Sequence, residues 1–101
     1  MIDVCYAINV EAEKCRIEAH GHAGCAERGG DVICAGVSAL LYGFLYYLSE
    51  KHGSSLVWRE SGDSLFMCFP SDSAEALEVV TASLRLMADT YPEYVSLQEG
   101  R

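Results

Sequence analysis

Two stretches near the start of the chain alternate between apolar and polar residues, which is typical of half-buried strands. The apolar positions of the first stretch are Ile2, Val4, Tyr6, Ile8 and Val10. In the second stretch, Cys15, Ile17 and Ala19 alternate with a polar series that ends in His20 and His22. Because successive side chains of a strand point to opposite faces, this pattern predicts a hairpin with both histidines on its polar face.

The segment 32–49 contains no charged residue and predicts a long helix that is buried on several sides. Asp31 precedes it as an N-cap or first-turn acid, and His52 and Gly53 follow its end. Its length reaches the lower limit for a membrane span, but small and polar residues interrupt it and no basic flank precedes it, so we expect no membrane contact. A helix that is apolar all round in so small a protein predicts a homodimer, in which a second copy covers part of it.

Two segments contain residues that are typical of turns and loops. Four glycines lie in the segment 21–30, which predicts a mobile loop between the first hairpin and the long helix. Ser61-Gly62-Asp63 separates two predicted short strands, 56–60 and 64–69, and forms the turn of a second hairpin.

A second helix is predicted after Pro70. Asp72 followed by Glu75 resembles a capping box. Apolar residues then recur at helical spacing: Ala74, Leu77, Val80, Leu84, Met87, Ala88 and Tyr91. Pro92 ends this helix, and residues 94–97 are expected to add a last short strand.

The order of these elements is β-β-α-β-β-α-β, which predicts an α+β fold. A chain of 101 residues is the size of one compact domain, so residues 1–101 are expected to form a single domain. We expect a mixed sheet of about five strands packed with two helices. There is no room for a second catalytic domain or a large cofactor pocket.

Charge and cysteine content narrow the function. The formal net charge is −8, which argues against binding to nucleic acid and would suit a basic partner. Five cysteines without a CxxC pair, and a start without the pattern of a signal peptide, predict a protein of the reducing cytoplasm. Cys5, Cys15 and Cys68 lie in strand patterns and are expected to be inert packing.

The segment 20–38 holds the candidate chemistry, a cysteine nucleophile with a histidine base. Cys34 is expected in the first turn of the long helix, where free backbone N–H groups and the helix dipole favour a thiolate and a developing oxyanion. His22 lies at the mouth of the glycine loop that returns to this helix. Asp31, Cys34 and Ser38 share one helix face, so Asp31 orients His22 or binds substrate while Ser38 supports the site.

Purely structural roles for these residues, and a metal site, remain open alternatives at this point. Asp31 is also explained as a helix cap, and Ser38 as a core hydroxyl bonded to its own helix. His20, His22, Cys25 and Cys34 could bind zinc, although their spacing matches no common zinc motif. Taken singly, His20 and Cys25 are better explained as an ordinary surface histidine and a loop thiol.

The same segment closely resembles the ribosomal-processing cysteine protease (Prp) family of bacteria. The resemblance rests on Gly21-His22-Ala23-Gly24, on Gly30-Asp31, and on the run from Ile33 through Cys34-Ala35-Gly36-Val37 to Ser38. The order of elements, the length and the apolar helix after the cysteine agree as well, so the likeness covers essentially the whole chain.

The resemblance implies a homodimeric cysteine endopeptidase without a cofactor, which removes the N-terminal extension of a large-subunit ribosomal protein precursor. It implies that Cys34 is the nucleophile, that His22 is the base and that Gly21 is the hinge of a loop over the substrate. Asp31 and Ser38 match further motif positions. Two other function classes stay open: a non-catalytic ribosome-associated binding module, and a small zinc-binding structural domain.

Overall fold

Strands and helices follow one another in the predicted order. The computed structural model describes residues 1–21 and 30–100, and for residues 30 and 31 the helical backbone only. Within these ranges the elements are β1 (Ile2–Asn9), β2 (Lys14–His20), α1 (Gly30–His52), β3 (Val57–Ser61), β4 (Ser64–Pro70), α2 (Ala74–Thr90) and β5 (Val95–Glu99). The candidate residues His22 and Cys25 lie outside the described residues.

The strands form one mixed sheet with the order β3-β4-β2-β1-β5. β1 pairs antiparallel with β2, β2 with β4, and β4 with β3. β5 lies beside β1 and runs parallel to it, because α2 carries the chain back across the sheet before the last strand begins. The five-stranded mixed sheet with two helices confirms the predicted α+β class.

One face of the sheet carries the hydrophobic core and packs against the helices. Alternate strand residues such as Val4, Ile17 and Met67 are buried, together with the helix side chains that repeat every three to four positions. In α1 these are Ile33, Val37, Leu41, Phe44 and Leu48. Phe44 and Phe69 meet edge to face with ring centroids 5.3 Å apart. α1 is long and apolar enough to cross a membrane by length and composition, and here it is the central helix of this core.

Two local predictions differ from the structure. β1 ends at Asn9, so Val10 lies exposed in the following turn. α2 begins at Ala74 after a 3₁₀ turn over Ser71–Ser73, so Asp72 and Glu75 form no capping box. Ser73 occupies the cap position, and its hydroxyl bonds to His52 instead of to a helix N–H, which explains why no side chain caps α2.

Candidate active site

A cavity of about 190 Å³ opens at the end of the sheet where α1 begins. α1 forms one wall, with Cys34, Val37, Ser38, Leu41 and Tyr42. The opposite wall is formed by the end of β2 and the β3–β4 turn, with His20, Gly21, Gly62, Asp63 and Ser64. The cavity therefore lies between the wall that contains Cys34 and the residues at the end of β2 and in the β3–β4 turn.

Cys34 is the fifth residue of α1, which begins at Gly30. The sequence predicts Cys34 in the first turn of the helix, whereas the structure places it at the start of the second turn. Its half-buried side chain packs against the core and lines the cavity, and the Cα–Cβ bond of a helical residue tilts toward the helix N-terminus. The four N–H groups that precede Cys34 in the helix have no acceptor within the helix.

The structure brings Ser38 to the same wall, one turn after Cys34, as the sequence spacing predicts. Ser38 is half-buried. Asp31 is the second residue of α1, which makes it a first-turn residue rather than an N-cap; its side chain lies outside the described residues. Of the predicted site residues, the cavity thus joins Cys34, Ser38 and Gly21.

The floor of the cavity is apolar. Ile2, Leu65, Val37 and Leu41 line it, and all are buried in the core. Such a surface binds an apolar side chain because contact removes the apolar surfaces of both from water. The free energy gained is about 25 cal/mol for each Å² of apolar surface buried. The site thus combines a thiol with apolar lining residues.

Gly21 ends β2 in a conformation that favours glycine. Its φ is +97°, in the left-handed region, and a Cβ at this position would press against the carbonyl oxygen of Met1. The Gly21 N–H donates to the carbonyl oxygen of Asp63 in the β3–β4 turn, at 3.1 Å. This hydrogen bond joins the residue after β2 to the β3–β4 turn.

His20 is among the residues that line the cavity, although taken singly it is predicted to be an ordinary surface histidine. It is on the polar face of β2, as predicted, with its Nδ1 2.8 Å from the Ser64 hydroxyl and its Nε2 3.6 Å from the Glu18 carboxylate. Ser64 is its register partner on β4. A partner 44 positions away leaves no local signal in the sequence, so only the strand pairing reveals this contact.

A hydrogen bond between Tyr42 and Glu60 closes the outer rim. It joins α1 to β3 beside the cavity, and both residues are exposed. The rim therefore carries phenol and carboxylate groups, while the floor below it is apolar.

A zinc site receives no support from the described residues. No three of their His, Cys, Asp and Glu side chains form a group that could hold a metal ion. His20, one of the four ligands considered, has both ring nitrogens directed at protein oxygens of Ser64 and Glu18. Two of the other proposed ligands, His22 and Cys25, lie outside the described residues.

The other described cysteines differ from Cys34 in setting. Cys5 and Cys68 are half-buried and Cys15 is buried, and all are free thiols. Burial raises the pKa of the Cys15 thiol above its ordinary value, and the neighbouring Cys68 and Asp72 raise it further. Cys15 is therefore held as a neutral thiol, which agrees with the predicted packing role.

Relatives and solved structures point to one family. The sequence profile of the cysteine protease Prp family matches residues 1–96. The ribosomal processing cysteine protease Prp of Mycoplasma pneumoniae is 29% identical over 89 residues, covering 85% of this chain and 88% of that protein. The protein of the same description from Mycoplasma genitalium is 30% identical over 86 residues, covering 80% of this chain and 84% of the relative.

Solved structures agree over nearly the full length. The crystal structure of an essential ribosomal processing protease Prp from S. aureus with a substrate peptide has a TM-score of 0.80 and 25% identity, covering 99% of this chain and 100% of that one. The same protease with a covalently linked product peptide has a TM-score of 0.74 and 26% identity over the same shares. The profile match, the relatives and the shared architecture establish that this chain belongs to the cysteine protease Prp family.

Proposed function

We propose that this cysteine protease removes the N-terminal extension of a large-subunit ribosomal protein precursor, with Cys34 as nucleophile and His22 as general base. The observation that carries the proposal is the position of Cys34, whose thiol lines an open cavity with an apolar floor. The relatives named as ribosomal processing proteases, one of them crystallised with a substrate peptide, supply the substrate class.

The nucleophile is assigned by comparing the thiols. Cys15 is enclosed in the core, and Cys5 and Cys68 lie on strands of the sheet. Cys34 alone among the described cysteines lies on α1, near its positive N-terminal end and beside the chain that leads to His22. That environment is the one in which a thiolate forms and attacks most readily.

The reaction follows from these groups. The Cys34 sulfur, having given its proton to His22, forms a bond to the scissile carbonyl carbon, and the carbonyl oxygen takes up the negative charge. The carbonyl is restored as the C–N bond breaks, and His22 gives the proton to the leaving amine. His22 then takes a proton from water, and the resulting hydroxide attacks the thioester. The C–S bond breaks as the carbonyl re-forms, the acid product leaves, and His22 returns the proton to the Cys34 sulfur.

The supporting residues have roles that this geometry suggests. Gly21 serves as the hinge from which the segment carrying His22 leaves β2, because its positive φ of +97° is a conformation that glycine adopts readily. Ser38 supports the wall one turn from Cys34, and Asp31 orients His22 or binds the substrate backbone. The apolar floor with Val37 and Leu41 accepts an apolar, preferably aromatic, side chain beside the scissile bond.

The protein acts as a homodimer through the outer face of α1. Val32, Tyr42 and Tyr46 are exposed along this face, Tyr46 by 69%, and Trp58 of β3 is 50% exposed on the same side of the sheet. The Tyr42–Glu60 hydrogen bond joins the two elements. An aromatic surface of this kind on a small protein is buried most readily by a second copy, since identical faces complement each other across a two-fold axis.

The proposed setting is the cytoplasm, and no cofactor takes part in the proposed chemistry. The free thiols of Cys5, Cys15, Cys34 and Cys68 fit a reducing compartment. A net charge of −8 favours approach of a basic precursor, such as a ribosomal protein, and opposes direct binding to nucleic acid.

The test is incubation of the purified protein with the precursor ribosomal protein of its own organism, followed by mass spectrometry of the products. We expect one cut that releases a short N-terminal peptide, and no cut with Cys34→Ala or His22→Ala. Cys68→Ala is the matched control and should cut at the wild-type rate, because Cys68 is a free thiol of similar burial on β4.

An uncut precursor at adequate enzyme concentration would contradict the proposal and favour a binding module. Stoichiometric zinc in protein purified without a histidine tag would favour the structural metal domain instead. The dimer is tested separately by light scattering, in which Tyr46→Glu should shift the mass toward the monomer.

A further inference from the structure

A second cavity, of about 480 Å³, lies along one side of α2 and takes no part in the proposed reaction. Tyr6 of β1 lines it together with residues of α2 that extend from Glu78 to Asp89. These helix residues are separated by one, three or four positions, so they form one continuous strip of the helix surface. We call this feature the α2 groove.

The α2 groove faces away from α1. Met87 marks the side of α2 that packs against α1, because a Cβ on Gly36 would lie 3.2 Å from the Met87 Cε. At about 100° of rotation for each residue, Glu78, Arg85 and Asp89 lie about 160–180° around the helix from Met87. A homodimer formed through the outer face of α1 therefore leaves the groove open to another molecule.

A carboxylate lies at each end of the groove. Glu78 and Asp89 are exposed and about 16 Å apart along the helix. Within the described part of the chain, neither of them forms an ion pair. Arg85 is one turn before Asp89, but its Nη2 donates a hydrogen bond to the Tyr6 hydroxyl at 3.0 Å. Both carboxylates thus remain available to a cation from outside.

Apolar surface lies between the two carboxylates. Ala82 and Leu86 are exposed there, Leu86 by 68%, and the nearly buried ring of Tyr6 lies beside them. The groove therefore has negative charge at its ends, and apolar surface with one positive charge in its middle. This arrangement matches an extended peptide that carries a cation on each side of an apolar residue and no cation at its centre.

The spacing of the carboxylates fits a strand-like peptide. In an extended chain, side chains four or six residues apart point to the same side and are about 13 or 20 Å apart. The long side chains of Lys and Arg can cover the difference from the separation of Glu78 and Asp89. Ribosomal proteins bind RNA, which requires clustered Lys and Arg, so segments with such spacing are frequent in that class of protein.

We propose that the α2 groove is a docking site for a basic, extended segment of the ribosomal protein precursor, away from the bond that is cut. This inference rests on the proposed function, because it takes the precursor as the substrate. Docking at the groove adds affinity for the precursor and leaves the chemical step at Cys34 unchanged.

The groove is within reach of a chain that is bound at the Cys34 cavity. α2 ends one residue after Asp89, and the Tyr94 carbonyl oxygen accepts a hydrogen bond of 2.8 Å from the N–H of Ile2, which lines that cavity. Ten residues of extended chain span about 33 Å. The longest dimension of the protein is 41 Å. One precursor molecule can therefore occupy both places at once.

The decisive experiment measures steady-state cleavage of two substrates by the full chain. One is the complete precursor, and the other is a short synthetic peptide that contains only the residues around the cut. In the double variant Glu78→Lys with Asp89→Lys, we expect KM for the precursor to rise about ten-fold at low salt, because the new lysines repel its cations. We expect kcat for the precursor, and KM for the short peptide, to stay within about two-fold of wild type.

A direct binding measurement removes the dependence on turnover. In a Cys34→Ala background, the Kd of fluorescently labelled precursor should rise about ten-fold with the same double variant. At about 0.5 M salt the difference should largely disappear, because charges are then screened over about 4 Å. Leu86→Ser changes no charge, so its smaller effect, a rise of about three-fold, should persist at high salt.

The matched control is Glu11→Lys with Glu13→Lys. These exposed carboxylates lie in the β1–β2 turn, outside the groove, and their reversal changes the net charge by the same amount. KM for the precursor should stay within about two-fold of wild type in this control. All the substituted side chains are exposed, so the thermal midpoints should stay near that of wild type.

An unchanged KM for the precursor in the groove variant overturns the inference. An equal rise in the control also overturns it and assigns the effect to net charge, and an equal rise for the short peptide assigns the effect to the Cys34 cavity. A lower mass of the groove variant in light scattering would make the groove an interface between copies instead. The two proposals fail separately: if the wild type leaves the precursor uncut, the proposed function is wrong. If the wild type cuts it and the groove variant matches the control, only the docking site is wrong.

Discussion

The two ends of α1 use the same kinds of side chain and expose them differently. At the cavity end, which contains Cys34, His20 bonds to Ser64 at 2.8 Å with 53% of its side chain exposed. At the opposite end, where α1 stops and α2 begins, His52 bonds to Ser73 at 2.7 Å with only 6% of its side chain exposed. We call this second region the joint end, because it joins the two helices.

The cysteines and glycines near the two ends of α1 also differ in their surroundings. Cys34 opens to the cavity, whereas Cys15 is enclosed near Asp72 at the joint end and has a raised pKa. Gly21 and Gly53 both have positive φ, of 97° and 53°. A Cβ on Gly21 would meet the Met1 backbone, while a Cβ on Gly53 would find nothing within 4 Å.

The comparison teaches that residue type does not by itself assign a role in this fold. A histidine–serine pair stabilises the packing of two helices when it is buried, since a buried polar group left without its partner costs about 1–3 kcal/mol. The same pair contributes little to stability when it is exposed. The predictions below test whether function follows exposure and stability follows burial.

Substitution of Gly21 and Gly53 by alanine is expected to give the largest difference in cleavage rate. Gly21→Ala should lower cleavage about a hundred-fold, because the new methyl group displaces the end of β2 from the Met1 carbonyl. Gly53→Ala carries a similar backbone cost of about 1 kcal/mol, meets no neighbour, and should cleave at the wild-type rate. Peptide cleavage and thermal unfolding of both variants check this; equal losses of activity would contradict it.

The two thiols should differ next most strongly. With limiting iodoacetamide near neutral pH, Cys34 should be alkylated at least about ten-fold faster than Cys15, because the enclosed thiol is both inaccessible and held neutral. Peptide mapping by mass spectrometry measures both rates in one sample. In urea the two rates should converge, and similar rates in the native protein would break the contrast.

His52→Ala should affect stability rather than activity. Loss of the bond to Ser73 leaves a buried hydroxyl without its partner, which should lower the thermal midpoint by about 4–8 °C for each 1 kcal/mol lost. Well below that temperature, kcat should equal that of wild type. His20→Ala is the matched control: its bond to Ser64 is exposed, so its thermal midpoint should stay near that of wild type.

The smallest expected effect is the dependence of stability on pH at the joint end. The folded protein keeps the proton of Cys15 at a higher pH than the unfolded chain does, so stability is fully present below the unfolded pKa and falls as the pH rises past it. Above about pH 9 the free energy of unfolding should fall less steeply in Cys15→Ala than in wild type. Urea unfolding at several pH values checks this, and parallel curves would contradict it.

Much of the fold could be predicted because it is encoded locally. The alternation in β1, β2 and β4 sets their buried faces, and Gly62, with φ +59°, forms the expected turn between β3 and β4. The spacing of Cys34 and Ser38 correctly placed both on one wall. The parallel pairing of β5 with β1 could not be predicted, because the strands are far apart in sequence and neither carries a mark of its partner.

The features that the sequence does not predict have the same origin, which is contact between residues that are distant along the chain. Asp72 followed by Glu75 has the local form of a capping box, but Ser73 takes the cap position and a histidine 21 residues away takes its hydroxyl. His20 is exposed, as the sequence predicts, but its bond to Ser64 could not be predicted because the two residues are distant in sequence. Interactions between distant residues thus decided both cases, and they are the ones that local patterns omit.

The amino end of the chain lies against the cavity: Ile2 lines its floor, and the Met1 carbonyl faces Gly21. A peptide fused ahead of Met1 therefore leaves the protein beside Cys34 at a high effective concentration. Such a fusion would be both a handle for purification and a tethered competitor for the groove. An affinity tag at the carboxyl terminus is the safer choice for kinetic work. A cleavable sequence placed before Met1 would report cleavage within the same polypeptide.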